Sequence, residues 1–356
     1  MEINVDNLRK EIYRLNSELY RAKSFTGYKS IILSILPLYQ TYIDLTGEIL
    51  DIPVLDIKRY SNYMKKKKGY REENLEIYFE NQKEHTILSK KVLNTFYNSG
   101  FLDLNREMSE RILSYDKGIE IVKSFLNDFD VRLYNHFNHM LEDRLVDDRE
   151  EKFDSTNTTY YAFLLKRSYS VIDNCKRIDE LSTLIHELAH SYAQKDLCIR
   201  STKQALEFSK SFYELYSMYS EYAFHHYLKE NHILIRDALL TENAHYSALR
   251  AYSRALNSCG KISSNINIDL EDLDFITNSF EYFYGYYLGL FMHEKSLSDK
   301  EGTKERLDDF IAYQGLINHD EQLRILGLSK EAIRNTKILS KRLDEHNSNL
   351  RKYGHI

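Results

Sequence analysis

Apolar residues recur at helical spacing through most of the chain. Ile12, Leu15, Leu19 and Ala22 lie three or four positions apart and predict an amphipathic helix over residues 6–24. Helical patterning continues to about Asn98, with interruptions expected at Pro37 and at Asp51-Ile52-Pro53. Ser99-Gly100 marks a break before a second block. From Lys117 to Leu145 the apolar positions Ile119, Val122, Phe125, Leu126, Leu133, Phe137 and Met140 predict one long helix or a helical hairpin. The polar stretch Asp147 to Thr159 reads as a loop. Tyr160 to Leu165 and Ser168 to Ile172 are short, aromatic and β-branched, which predicts two strands. Asp179 is placed to cap the next helix, whose buried stripe is Leu181, Leu184, Ile185, Leu188 and Tyr192. Further helices are expected at about 203–230, 236–258, 270–294, 303–317 and 329–350. The fold class expected is mainly α with a small β-sheet.

Composition narrows this picture by exclusion. Two prolines and twelve glycines in 356 residues leave few helix breakers, and the 29 tyrosines supply aromatic helix faces. A formal net charge of −5 offers no broad basic surface, so neither nucleic acid nor an anionic membrane is expected as a partner. The basic run Lys65 to Lys68 is short, is followed by glutamates, and reads as a solvated patch. Three widely spaced cysteines, Cys175, Cys198 and Cys259, make no Cys-x-x-Cys pair, and a reducing cytoplasm is the expected location. No window approaches the roughly 18 apolar residues of a membrane span.

Chemistry concentrates at residues 186–190, His-Glu-Leu-Ala-His. Positions i and i+4 share a helix face, so His186 and His190 can point at one ion. Neutral imidazoles suit a borderline-soft divalent cation, of which Zn²⁺ is the usual occupant. Glu187, one position round the helix, is placed to act as general base on a metal-bound water without being a ligand. A catalytic zinc site takes three protein ligands, and Glu214 is the expected third. It is a carboxylate amid Phe212, Tyr213, Leu215, Tyr216, Met218 and Tyr219, in a helix expected over Ser209 to Leu228, where it shares a face with Ser217 and Glu221. Glu221 is read either as a solvated helix charge or as a carboxylate orienting a liganding histidine.

His186-Glu-Leu-Ala-His190 followed by Glu214-x-x-Ser217-x-x-x-Glu221 resembles the oligoendopeptidase F and thimet oligopeptidase family of zinc peptidases. The resemblance covers roughly residues 105 to 350. It implies a zincin-like catalytic core with helices forming a substrate cleft, one zinc per chain on His186, His190 and Glu214, and hydrolysis of short unstructured peptides. Ala162 to Leu165 falls where the family has an edge strand beside the bound peptide. Glu281 to Gly289 is similar to the family's tyrosine-rich helix, which makes Tyr286 the first candidate for stabilising the oxyanion and Tyr282 the second. Ala189, Ala193 and Ser279 depart from the family pattern. The expected organisation is an N-terminal helical region, 1–104, a catalytic core, 105–300, and a C-terminal helical region, 301–356.

Two other readings remain at this level. A non-catalytic descendant of the fold would bind peptides or a protein without cutting. A di-iron carboxylate protein would use the pairs Glu187-x-x-His190 and Glu242-x-x-His245.

Overall fold

Local side-chain chemistry starts and stops the helices. In the computed structural model, residues 4–19, 21–22, 25–46, 48, 50, 71–104, 111–143, 146–147, 158–162, 167–171, 175–196, 212–259, 270–314 and 317–353 are described. The chain begins with α1 (Val5–Leu19) and α2 (Phe25–Thr46), which pack on each other, followed by α3 (Arg71–Asn98). Pro37 lies inside α2 rather than interrupting it. Its missing N–H removes one helical bond, and the helix continues around that defect. The break expected at 51–53, the strand end Phe163 to Leu165 and the helix start expected near 203 lie outside the described residues.

The segment after Lys117 is a hairpin of two helices, α4 (Tyr115–Phe129) and α5 (Val131–Glu142). Asp130 makes the corner. Its extended backbone ends α4, its main-chain N–H donates to Leu126 O, and its carboxylate accepts from Arg132 N at the start of α5.

Three short strands follow: β1 (Val146–Asp147), β2 (Thr158–Ala162) and β3 (Arg167–Val171). Their order is β1-β3-β2, with β1 parallel and β2 antiparallel to β3. The register places Thr159 opposite Ser170 and Tyr160 opposite Tyr169. Among the described strands β2 thus lies at an edge, and it begins two residues before the sequence pattern predicts.

The remaining helices are α6 (Ile178–Asp196), α7 (Leu215–Glu230), α8 (Ile235–Cys259), α9 (Leu270–Ser298), α10 (Lys300–Tyr313), α11 (His319–Ile325), α12 (Lys330–Ile333) and α13 (Lys337–Tyr353). Asp179 sits inside the first turn of α6 and does not cap it. Glu180 takes that work, its carboxylate accepting from the main-chain N–H groups of Lys176 and Arg177. The stripe Leu181, Leu184, Ile185, Leu188 and Tyr192 is buried as its spacing predicts. α7 and α8 pack on each other and on both α6 and α9, and the sheet lies on α6. No described helix is long and apolar enough to cross a membrane.

Two glycines let α9 lie directly on the start of α7. A Cβ at Gly285 would meet Glu214 Cβ at 2.4 Å, and one at Gly289 would meet Met218 Cβ at 2.8 Å. Both distances are too short for any side chain. The tyrosine-bearing helix is therefore seated against the backbone that carries Glu214.

Candidate metal centre

The packing of α6 against α7 brings three donor atoms together. His190 Nε2 lies 3.0 Å from His186 Nε2 and 2.9 Å from Glu214 Oε2. His186 Nε2 lies 3.1 Å from the same carboxylate oxygen. Four ligands around zinc at about 2.05 Å would stand about 3.3 Å apart, so this triangle has close to the edge length of such a site. Glu214 and His190 are buried and His186 nearly so. The chemistry of the set, two imidazole nitrogens and one carboxylate oxygen, fits Zn²⁺.

Glu214 reaches this place differently from the sequence expectation. It stands at the N-cap of α7, not in a helix interior, with φ −82° and ψ −2°, and its side chain makes no capping bond. The carboxylate therefore lies near the positive end of the helix dipole, which favours its charge, yet is directed at the histidines. Ser217, one turn on, donates its hydroxyl to Glu214 O at 2.9 Å and approaches Oε2 at 3.3 Å.

Glu221 is not a solvated charge. It is buried, and Oε1 accepts the Nδ1–H of His186 at 2.8 Å. An ionised carboxylate can only accept, so this bond keeps a proton on His186 Nδ1 and leaves Nε2 as the ring atom that faces Glu214, able to hold either a proton or a cation. The other Glu221 oxygen accepts from Ser182 Oγ at 2.5 Å and from His245 Nε2 at 3.2 Å. Ser182 in turn accepts from His225 Nε2 at 2.9 Å. Across the ring of His190, Tyr213 stacks with centroids 4.5 Å apart and planes 15° apart. Gln194 Nε2 donates to the Tyr213 hydroxyl.

The electrostatics ask for positive charge. Burial opposes the charged form of His186, but hydrogen bonds to Glu214 and Glu221 outweigh it and raise its pKa well above the usual value. Burial likewise works against ionised Glu214, and the charges and hydrogen bonds of His190 and His186 hold its pKa well below the carboxylate range. A lone pair and a carboxylate aimed at one point bind a cation for the same reason that they bind a proton.

Glu187 is buried on the same helix, and its main-chain carbonyl accepts from Thr159 Oγ1 of β2 at 3.0 Å. Thr159 also bonds Ser170 at 2.9 Å, so one hydroxyl ties the edge strand both to its neighbour and to the histidine helix. Tyr282 and Tyr286 come from α9, with Tyr252 of α8 stacked against both at centroid distances of 5.2 and 6.0 Å. The Glu214 charge is the largest influence raising the Tyr282 pKa, followed by burial. For Tyr286 burial comes first and the Glu221 charge second, and its ring meets His245 edge-on at 5.6 Å.

The di-iron arrangement is not built. Glu242 is engaged elsewhere, accepting from Lys229 at 2.8 Å and from His346 at 3.2 Å, so the two Glu-x-x-His pairs do not converge. Ser182, His245 and Tyr213 escape the sequence pattern. Ser182 stands one helical turn before His186, a spacing that could have flagged it. His245 lies on another helix, where its spacing from Glu242 points to a di-iron ligand and not to a partner of Glu221.

No family model matches the chain, and no curated protein matches it. Solved structures do. A structure described as a "putative oligoendopeptidase F from Bacillus anthracis str. Ames" superposes with a TM-score of 0.50 at 12% identity, covering 91% of this chain and 63% of that one. PZ peptidase A, solved with an inhibitor, is 13% identical and gives a TM-score of 0.49 over 92% of this chain and 66% of its own. The chain thus spans less than two thirds of the length of these two proteins. Over that length, the mainly helical chain has the fold of an oligoendopeptidase F structure.

Proposed function

We propose that the chain is a zinc-dependent metallopeptidase that hydrolyses peptide bonds in short unstructured peptides. The observation that carries this reading is the convergence of His186, His190 and Glu214 within 3.1 Å, with Glu187 on the same helix. Zinc held by these three donors would polarise the scissile carbonyl and make water acidic enough to lose a proton at neutral pH. Glu187, which ligates nothing, is free to take that proton on its carboxylate and return it to the leaving amine. The Tyr282 and Tyr286 hydroxyls remain protonated across the physiological range, since charge and burial both raise their pKa values. Either can therefore donate a hydrogen bond to an oxyanion, and the Glu214 charge at Tyr282 favours that residue for the part.

The substrate class follows from β2. It pairs with β3 on one side, and no described strand pairs with its other side. An extended peptide can add there as a further strand and be held by its main-chain groups. A folded protein has those groups already engaged in its own hydrogen bonds, whereas a short unstructured peptide presents them freely. No nucleic acid or membrane partner is part of this reading.

Turnover of a quenched short-peptide library by the zinc-loaded protein tests the proposal. The Glu187→Gln variant should lose about 10²- to 10⁴-fold in rate while binding the metal as before. Equal rates in the two proteins would overturn the reading.

A further inference from the structure

A second group of metal-ligating side chains stands beside the first. Glu221, His225 and His245 each bring one donor atom within 4.8 Å of the other two, and none of them ligates the ion proposed above. Glu221 and His225 are one turn apart on α7, while His245 is contributed by α8. Glu221 Oε2 and His245 Nε2 stand 3.2 Å apart, again close to the edge length of about 3.3 Å for tetrahedral zinc. Ser182 Oγ lies between this oxygen and His225 Nε2, at 2.5 and 2.9 Å. Glu221, His225 and Ser182 are buried, and His245 nearly so.

Hydrogen bonding alone accounts poorly for this choice of residues. The network uses only Nε2 of each imidazole, and the buried Nδ1 atoms of His225 and His245 have no hydrogen-bond partner among the described residues. Holding a carboxylate in place needs donors, and any amide side chain would supply them. Two imidazoles with ring centroids 4.9 Å apart beside a buried carboxylate are instead a ligand set for a borderline-soft cation.

We propose that Glu221, His225 and His245 form a second site for a divalent transition-metal ion, zinc fitting best, adjacent to the first. It is the weaker of the two, because the Ser182 bond to Glu221 must yield before an ion can enter. Occupancy there is antagonistic to the first ion. Glu221 Oε1 is the acceptor that orients His186, and a cation on Oε2 withdraws negative charge from it. Zinc at high concentration thereby loosens the centre that zinc at low concentration fills.

The test is a zinc titration of the metal-stripped full chain against a chromophoric chelator, repeated with Co²⁺, whose d–d absorption reports each set of ligands. The unaltered protein should bind two equivalents, the second more weakly. His225→Gln and His245→Gln keep an amide donor for Ser182 and Glu221 but remove the imidazole. Each should retain the tight equivalent, which also reports an intact fold, and lose the weak one. His190→Ala should do the reverse, so failure of the first site and failure of the second are read separately. Saturation of the unaltered protein at one equivalent in millimolar zinc would overturn the proposal, as would two equivalents retained in both glutamine variants.

Discussion

Among single residues, Glu221 has the largest consequence for the His186, His190 and Glu214 centre without being one of its ligands. It fixes the tautomer of His186, and Ser182 and His245 fix it in turn. Glu221→Gln keeps an acceptor for His186 but removes the charge and turns an amide donor toward Ser182 and His245. Zinc affinity should fall about 10- to 100-fold, as read by chelator competition. An unchanged affinity would mean that His186 needs no orienting partner. At the two tyrosines the expectation is a difference: Tyr282→Phe should lower peptide turnover more than Tyr286→Phe, by about 10²-fold or more, with KM little altered. The same loss in both would leave the choice of donor open to either ring. Sequence alone carries part of this. His186, Glu187 and His190 are legible because a five-residue spacing on one helix decides their geometry. Glu214 is legible as a carboxylate in apolar company, although its place at the start of α7 is not. Spacing places Ser182 on the face of His186 and pairs His245 with Glu242, but their meeting at Glu221 is illegible because helix packing, not spacing, makes it.

Between elements, the decisive contact is that of α9 with the start of α7. Gly285 is the point of closest approach, and its missing side chain is what allows the tyrosine helix to sit on Glu214. Gly285→Ala would drive a methyl into Glu214 Cβ, costing about 1–3 kcal/mol of stability by overpacking. Because the atom displaced belongs to a ligand, zinc affinity should fall as well. Gly118→Ala is the matching control. Its Cβ would collide with Cys175 O, so stability should fall similarly while zinc affinity holds. Equal zinc affinity in both variants would show that the glycine contact serves packing alone. The helices themselves are readable from apolar periodicity, as the buried stripe of α6 illustrates. Their ends are less so. Asp130 decides between the long helix and the hairpin that the pattern leaves open, and Glu180 replaces Asp179 at the start of α6. In each case several polar residues compete for the free main-chain groups, and tertiary position chooses among them.

At the scale of the whole molecule, the burial of neutral histidines sets the response to acid. Burial pushes the pKa of His136 down to about 4, of His225 to about 3 and of His319 to about 4, and holds His85 and His293 well below the usual value. His293 also faces Arg342, whose Nη2 donates to its Nδ1 at 2.6 Å. In the unfolded chain all five titrate near 6.5. Between about pH 4 and 6.5, the unfolded chain therefore binds protons that the native state refuses. The stability that these five contribute is complete above 6.5 and falls as the pH drops through this window, by about 1.4 kcal/mol per pH unit for each histidine that stays neutral. The depressed pKa of Glu221 adds a loss of the same sign at lower pH, below the carboxylate range. His186 acts oppositely, since its raised pKa gives stability that is present below 6.5 and lost as the pH rises through its folded value. Its pH dependence therefore lies above this window and does not oppose the five within it. Against a typical total of about 5–15 kcal/mol, even two of the five suffice for unfolding within a few pH units. The thermal midpoint should thus drop steeply between pH 7 and 5 in scanning calorimetry of the metal-stripped protein. His85→Gln, which keeps a partner for the Tyr284 hydroxyl, should flatten that slope. A midpoint that stays level from pH 7 to 5 would show that these histidines take up protons in the native state.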